Sequence, residues 1–305
     1  MIVSVGGSCV LIVACVPARN EERTIAGVIV KARCHVDRVV VCDDGSSDLT
    51  SQIAEALGAE VIRNVSAGGY GAALGLLFKR AAELDADIMV TLDGDGQHDA
   101  DQIPKLVKPV LDGEADVVIG SRFLTKKRDS SVRTYRKTGI KAITGLTDAV
   151  SGLRTTDAQS GFRAYGREAV RRIAPVELGM GASVEILMKV AEQKLRITEV
   201  PVTIRYDGLE SSTHNPIYHG LDVIASILKF VSLRHPLMFY GTLGLATILF
   251  GLAYGYFAIQ SYSAQTKPIT NIALLSMAIV STGVLLVFMA VILFTLTNLI
   301  KEHRH

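Results

Sequence analysis

Along the first 120 residues, short apolar runs alternate with stretches whose apolar positions recur every three to four residues. The runs at 10–16, 38–42, 60–63, 88–92 and 117–119 are rich in β-branched residues and show little polar alternation. Runs of this kind predict strands covered on both faces. The intervening stretches, 21–33, 48–57, 71–84 and 101–111, carry helical spacing. Strand and helix in strict alternation predict an α/β fold with a mostly parallel sheet and helices on either side. Residues 142–205 return to helices and short strands that complete this domain.

A second pattern begins near residue 217. Ile217, Leu221, Ile224, Leu228 and Val231 give one apolar helical face, which predicts a helix over 217–235 lying in a membrane surface; a plain core helix has the same spacing. Residues 236–259 and 269–300 then contain no Asp, Glu, Lys, Arg or His. Each exceeds the roughly 20 residues that cross a bilayer core, so two transmembrane spans are expected. The short connector "QSYSAQTKP" makes them a hairpin. The expected organisation is a catalytic domain over 1–216, an interfacial helix over 217–235 and a hairpin over 236–305.

Composition agrees, with 49% apolar residues in a chain of 305. Lys229, Arg234 and His235 precede the first span and Lys301 and Arg304 follow the second, against Lys267 alone in the connector. That asymmetry predicts a multi-pass protein with its catalytic domain on the cytoplasmic side. The apolar N-terminus lacks a basic flank and is broken by Gly6 and Gly7, so a first core strand is expected rather than a signal peptide. Cys9, Cys15, Cys34 and Cys42 lie outside any metal-binding spacing and read as small buried hydrophobes. The net charge of +2 by itself says nothing about partners, and no nucleic-acid partner is expected. Gly241, Gly244, Gly251 and Gly255 in the first span would permit the close helix contacts that build a homo-oligomer.

In open parallel sheets ligands bind beyond the carboxyl ends of the strands. Three predicted strand ends carry polar signatures: "PARNEE" from Pro17, "DDGSSD" from Asp43 and "DGDGQH" from Asp93. The last is no calcium loop, because the positions that need Gly and Glu hold His98 and Pro104. Asp93 and Asp95, with Gln97 next in phase, suit a hard divalent ion shared with the phosphates of a substrate. Gly94 and Gly96 let backbone approach a ligand. Asp43 or Asp44 suits the N–H edge of a base or ribose hydroxyls, Gly45 allows a tight turn, and Asp48 is placed to cap the next helix.

These motifs, with "GSR" at Gly120 and "DAQSGFRAY" from Asp157, occur in an order and spacing that resembles family 2 glycosyltransferases of the polyprenyl-phosphate type, the group that includes dolichyl-phosphate mannose synthases. The resemblance covers roughly residues 10–235. It implies a GT-A fold and a nucleotide-diphosphate sugar donor held with Mg or Mn. Pro17, Arg19, Glu21 and Asp44 would surround the base and ribose, Asp93 would face the nucleotide, and Asp95 and Gln97 would hold the metal. Ser160 and Gly161 would line the sugar site, Glu185 would orient sugar hydroxyls, and Arg205 would meet the donor diphosphate. Arg122 and Arg136 align with arginines that hold the acceptor phosphate, with Lys137 beside them. The family's usual D-A-D reads D-G-D here, and Arg19 stands where Tyr is common.

The acceptor follows from charge. The chain has no Trp, which removes the usual Q-x-x-R-W motif of processive relatives. From Arg122 to Lys137 there are seven basic residues against Asp129 alone. A phosphomonoester, with a second pKa of about 6, is already largely a dianion at neutral pH and attacks without a strong base. The expected reaction is metal-dependent, inverting transfer of one sugar to a polyprenyl (dolichyl) phosphate held in membrane lipid. Transfer to a lipid hydroxyl, or a catalytically silent membrane scaffold, are the competing readings.

Overall fold

The computed structural model describes residues 4–5, 8–64, 67–124, 140–141, 143–145, 147–148, 151–179, 181–204, 232, 236–265 and 270–302. It separates into two compact units, 1–227 and 228–305.

The first unit opens with a short antiparallel pair, β1 (Ser4–Val5) and β2 (Ser8–Cys9). The main sheet is then built from β3 (Ile12–Ala18), β4 (Arg38–Asp43), β5 (Glu60–Arg63), β6 (Ile88–Thr91), β7 (Val117–Ser121), β8 (Arg163–Gly166) and β9 (Ile197–Pro201). Their order is β5-β4-β3-β6-β8-β7-β9. Strand β8 runs antiparallel to both neighbours, and the other six are mutually parallel. The central strands are buried along almost their whole length, as unbroken apolar runs require.

Alternation along β3 divides the core in two. Ile12, Ala14 and Val16 join a cluster with Val28 and Ile29 of α1 (Ile25–Ala32) and with Ile103 and Leu106 of α4 (Ile103–Leu111). Val13 and Cys15 join the opposite cluster, with Leu74, Leu77 and Phe78 of α3 (Tyr70–Glu83) and Ile186 of α6 (Ala182–Glu192). The remaining helices of this unit are α2 (Thr50–Ala56) and α5 (Arg167–Arg172). Cys15 and Cys42 are buried, and burial pushes both thiols up, Cys42 to about 12. Cys34 departs from the expectation: it lies just past the end of α1 and is exposed.

The chain leaves β3 toward β4 and β5, then returns to pair β6 on the other side of β3. Connections therefore diverge between β3 and β6, and this reversal opens a crevice at their carboxyl ends. The start of α3 packs against the loop before α6. The Gly71 amide donates to the Leu178 carbonyl at 2.9 Å, and a Cβ at Gly71 would overlap the Glu177 carbonyl.

In the second unit, α7 (Thr242–Gln265) follows a π-turn at Leu237–Gly241 and packs on α8 (Thr270–Glu302). Both are long and apolar enough to cross a membrane. Glycines serve their mutual contact: a Cβ at Gly244 would lie 2.8 Å from the Gly283 carbonyl, and one at Gly251 would lie 2.7 Å from Val280. The Ser276 hydroxyl donates to the Gly251 carbonyl at 2.8 Å. The glycine face expected to serve a second copy is thus engaged within the hairpin, while Gly241 is in ordinary contact with Ala290. The interfacial helix expected over 217–235 lies almost wholly outside the described residues.

Gly71→Ala should destabilise the catalytic unit by about 1–3 kcal/mol through overpacking, read as a lower midpoint in thermal unfolding of the full chain in detergent.

Candidate active site

The loops after β3 and β4 are knitted together. Asn20 has a φ of 56°, in the left-handed region where Asn is tolerated. Its amide donates to the Ser46 hydroxyl at 2.9 Å, and its side-chain oxygen accepts from the Ser47 amide at 2.8 Å. The Glu21 amide donates to Thr50 Oγ1 at 2.8 Å, and the Glu22 amide to Asp48 at 3.1 Å. Asp48 is not the cap of α2, a place taken by Leu49 without a side-chain bond. Asp48 instead accepts from the Thr50 amide at 3.0 Å. Partial burial would raise its carboxyl, but bonds from Thr50 and Glu22 outweigh this and lower it. Pro17 is buried, and Arg19 stands exposed at the rim.

The two aspartates ending β4 face inward. Asp43 accepts from the Ser46 amide at 2.9 Å with one oxygen and from the Ser51 hydroxyl with the other, closing the turn in which Gly45 has a φ of 75°. Asp44 accepts from Asn64 Nδ2 at 2.7 Å and from the Gly68 and Gly69 amides at 2.9 and 2.8 Å. Both carboxylates are therefore engaged in building the loops around the crevice. Asp44 in particular shapes the entry to α3.

Beyond β6 the chain crosses the end of β3, with the Gly94 amide donating to the Pro17 carbonyl at 3.3 Å. A Cβ at Gly94 would lie 3.1 Å from Ala18. Thr24 pins this crossing, donating to the Gly94 carbonyl at 2.8 Å and contacting Glu21 Oε2 at 3.0 Å. Glu21, Asp93 and Asp95 are thereby drawn together. Burial pushes the Glu21 carboxyl up; the Thr24 bond pulls it down, but Asp95, Asp93 and Asp48 add repulsion, and it stands at about 7. Asp93 is pushed up to about 6 by burial, partly offset by the Tyr70 hydroxyl and the charges of Arg122 and Arg163. Asp95 Oδ1 accepts from the Gln97 amide at 2.9 Å, folding the D-G-D-G-Q turn back on itself. Gly96 there has a φ of 72°.

Several partners of Asp93 come from elsewhere in the chain. Tyr70, opening α3, donates to Asp93 Oδ1 at 3.4 Å. A Cβ at Gly161 would lie 3.0 Å from both Asp93 oxygens and 2.9 Å from the Tyr70 hydroxyl, so only glycine fits there without displacement. His98 is buried and stacks on Phe162 at 5.2 Å. Its Nδ1 accepts the Asp93 amide at 3.1 Å, which requires a neutral ring protonated on Nε2. Burial lowers its pKa to about 4, in keeping with that tautomer.

The cationic side centres on Arg122, just past β7. Its Nε and Nη2 donate to the two oxygens of Asp157 at 2.6 and 2.7 Å, and Asp157 is fully buried. The Arg122 charge is felt at both Asp93 and His98, so it belongs to the same crevice. Ser160 is buried beside Gly161. Arg163 is also buried, donating to the carbonyls of Ala158 and Ser183 at 2.7 and 3.3 Å. Glu185, which the resemblance assigns to sugar hydroxyls, is buried and accepts the amides of Val176 at 2.9 Å and Glu177 at 2.7 Å, holding the loop on which α3 packs. Arg136, Lys137 and Arg205 lie outside the described residues, as do Lys126, Lys127 and Arg128. Ile204, immediately before Arg205, pairs with His98.

Tyr70, Thr24, Glu199 and the pairing of Asp157 with Arg122 were not expected from the sequence. Thr24 falls in a helical stretch and Tyr70 just before one, where nothing distinguishes them, while Asp157 opens a motif whose role is visible only once Arg122 lies beside it.

A divalent ion fits this donor set. Among the described residues no group of three or more His, Cys, Asp or Glu side chains is gathered closely enough to hold a metal ion by itself. Carboxylates that repel one another, with glycines beside them, suit a hard cation that takes its other oxygens from phosphate and water. Because burial raises the Glu21 and Asp93 carboxyls, their ionisation weakens the metal-free fold. The stability that goes with their protonated forms is present in full below pH 3.8 for Asp93 and below pH 4.5 for Glu21, and is lost as pH rises through about 6 and about 7. Glu21→Gln should therefore raise the metal-free melting temperature at pH 7.5, by about 2–4 °C, and leave it unchanged at pH 4.5; a drop at both values would remove the repulsion argument.

Known proteins are similar to this chain in sequence and in fold. The model of "Glycosyl transferase family 2" matches residues 13–174. Glycosyltransferase AglJ of Haloferax volcanii is 30% identical over 94% of this chain and 93% of its own length. A dolichyl-phosphate hexose transferase of the same organism is 34% identical over 69% of this chain and 89% of its own. Among solved structures, glucosyl-3-phosphoglycerate synthase of Mycobacterium tuberculosis, in complex with Mn2+ and UDP-glucose, superposes with a TM-score of 0.56 at 27% identity, covering 72% of this chain and 78% of that one. An acidic turn at the switch point of a mostly parallel sheet, matched by a family model over more than half the chain, makes this protein a hexosyltransferase of glycosyl transferase family 2, with a GT-A fold.

Proposed function

We propose that this chain transfers a single sugar from a nucleotide-diphosphate donor to a polyprenyl phosphate of the dolichyl type, with inversion, at the cytoplasmic face of a membrane. The observation that carries the reading is that the acidic turn of Asp93, Asp95 and Gln97 lies within reach of the charge of Arg122, which Asp157 holds in a fork. The donor chemistry follows the UDP-glucose and Mn2+ bound by the mycobacterial synthase. The acceptor follows the dolichyl-phosphate hexose transferase.

In this reading Asp95 and Gln97 hold Mg or Mn, which would offset the charge gathering on the departing diphosphate. Pro17, Arg19, Glu21 and Asp93 border the nucleoside, while Asp43 and Asp44 shape the loops that receive it. Ser160 and Gly161 form the wall against which the sugar rests. Arg122 presents its guanidinium to the acceptor phosphate, with Arg136 and Lys137 adding charge and Arg205 meeting the donor diphosphate. The acceptor oxyanion attacks the anomeric carbon from the face opposite the leaving group, and no residue need remove a proton.

A water-soluble donor meets a lipid-borne acceptor only at the interface. The two apolar helices, together with the amphipathic segment 217–235, would keep the catalytic unit 1–216 where acceptor is concentrated. The products would feed lipid-linked glycan assembly or protein glycosylation.

Purified full-length chain, given radiolabelled UDP-glucose, UDP-N-acetylglucosamine or GDP-mannose with Mn2+ and dolichyl phosphate, should form a lipid-soluble product that chelator abolishes. Label appearing only on a sterol or diacylglycerol would overturn the acceptor assignment. Asp95→Ala should lower turnover by at least about a thousandfold, and full activity in that variant would remove the metal site. Arg122→Ala should raise the KM for acceptor more than that for donor.

A further inference from the structure

Strand β9 carries a carboxylate that the reaction scheme leaves without a role. Glu199 pairs in register with Ile119 of β7, close to the strand end that leads into Arg122. Its Oε1 accepts the Thr156 amide at 2.8 Å and the Asp157 amide at 3.2 Å. Its Oε2 accepts the Thr156 hydroxyl at 2.9 Å. The same hydroxyl is 2.5 Å from that of Ser121, the residue before Arg122. Asp157, with its amide held in this way, grips Arg122 at three points: Nε at 2.6 Å, Nη2 at 2.7 Å and the backbone amide at 3.1 Å.

A guanidinium bound along one edge by a carboxylate fork cannot rotate freely, so its remaining edge has one direction. That direction is set by Asp157, and Asp157 is set by Glu199. Glu199 acts on Arg122 through the intervening loop, fixing both Thr156 and Asp157. We propose that Glu199 is a positioning residue for the acceptor: through Thr156 and Asp157 it aims the Arg122 guanidinium at the acceptor phosphate. This rests on the reading that Arg122 binds that phosphate. Half-burial supports the role, since a carboxylate drawn out of water and bonded to backbone amides of one loop has a single stable placement.

The test uses the purified full-length chain with farnesyl phosphate as a soluble acceptor and the nucleotide sugar turned over by the wild type. Glu199→Ala should raise the KM for farnesyl phosphate by about ten- to a hundredfold, as loss of a group that orients a binding residue does. The KM for donor and the affinity for UDP with Mn2+ should stay within about twofold of wild type. Glu199→Gln, which keeps one acceptor oxygen, should fall between the two and serves where the alanine variant does not fold. In the double variant with Arg122→Ala the two effects should be far from additive, because each removes the same aimed guanidinium. An unchanged acceptor KM in both Glu199 variants, equal rises for donor and acceptor, or additive effects would overturn the proposal. Should Arg122→Ala itself leave the acceptor KM unchanged, the acceptor-phosphate reading fails instead.

Discussion

The structure turns on the crowding of three carboxylates, Glu21, Asp93 and Asp95, where β3 and β6 end. Withdrawal from water raises Asp93 to about 6 and Glu21 to about 7, with repulsion from Asp95 and Asp93 adding to the rise of Glu21. Such an arrangement persists only because the surrounding fold over-determines it. Thr24 fastens the crossing of the acidic turn over β3, Tyr70 and the His98 ring hold Asp93 from two sides, and half-buried Arg122 and buried Arg163 supply compensating charge. The concentration of negative charge that looks destabilising in isolation is what suits the site to a divalent cation.

Around that turn, three of the described loops are positioned by buried or half-buried carboxylates accepting backbone amides. Asp44 holds Gly68 and Gly69, Glu185 holds Val176 and Glu177, and Glu199 holds Thr156 and Asp157. Loops that must present ligands cannot rely on sheet or helix bonds for rigidity, and a carboxylate with several acceptor sites replaces them. Glycine appears where two such loops meet: Gly71 against Glu177, Gly161 against Asp93.

The hairpin follows a different logic. In hydrocarbon the apolar surfaces of α7 and α8 gain little from meeting each other, so close backbone approach and packing must hold them. Gly244, Gly251, Gly255 and Gly283 allow that approach, and Ser276 adds a hydrogen bond across the seam. Large side chains such as Phe250, Phe257, Leu285 and Phe288 remain on the outside.

The parallel sheet, the helices on both its faces and the two apolar spans were legible in the residues alone, because uniform apolar runs and charge-free stretches are one-dimensional signals of burial. The D-x-D-x-Q turn was legible for the same reason: its residues are adjacent, and strand phase places them. The antiparallel insertion of β8 between β6 and β7 was decided only in three dimensions, and with it came the contact of Gly161 with Asp93. So were the engagement of Asp43, Asp44 and Glu185 by loop backbone, the union of Tyr70 with Asp93, and the chain from Glu199 through Asp157 to Arg122. Tyr70 and Asp93, Arg122 and Asp157, and Asp157 and Glu199 lie 23, 35 and 42 residues apart along the chain. Neither hydrophobic period nor local turn chemistry carries information over that distance, and only the packing of the sheet brings the groups within hydrogen-bond reach.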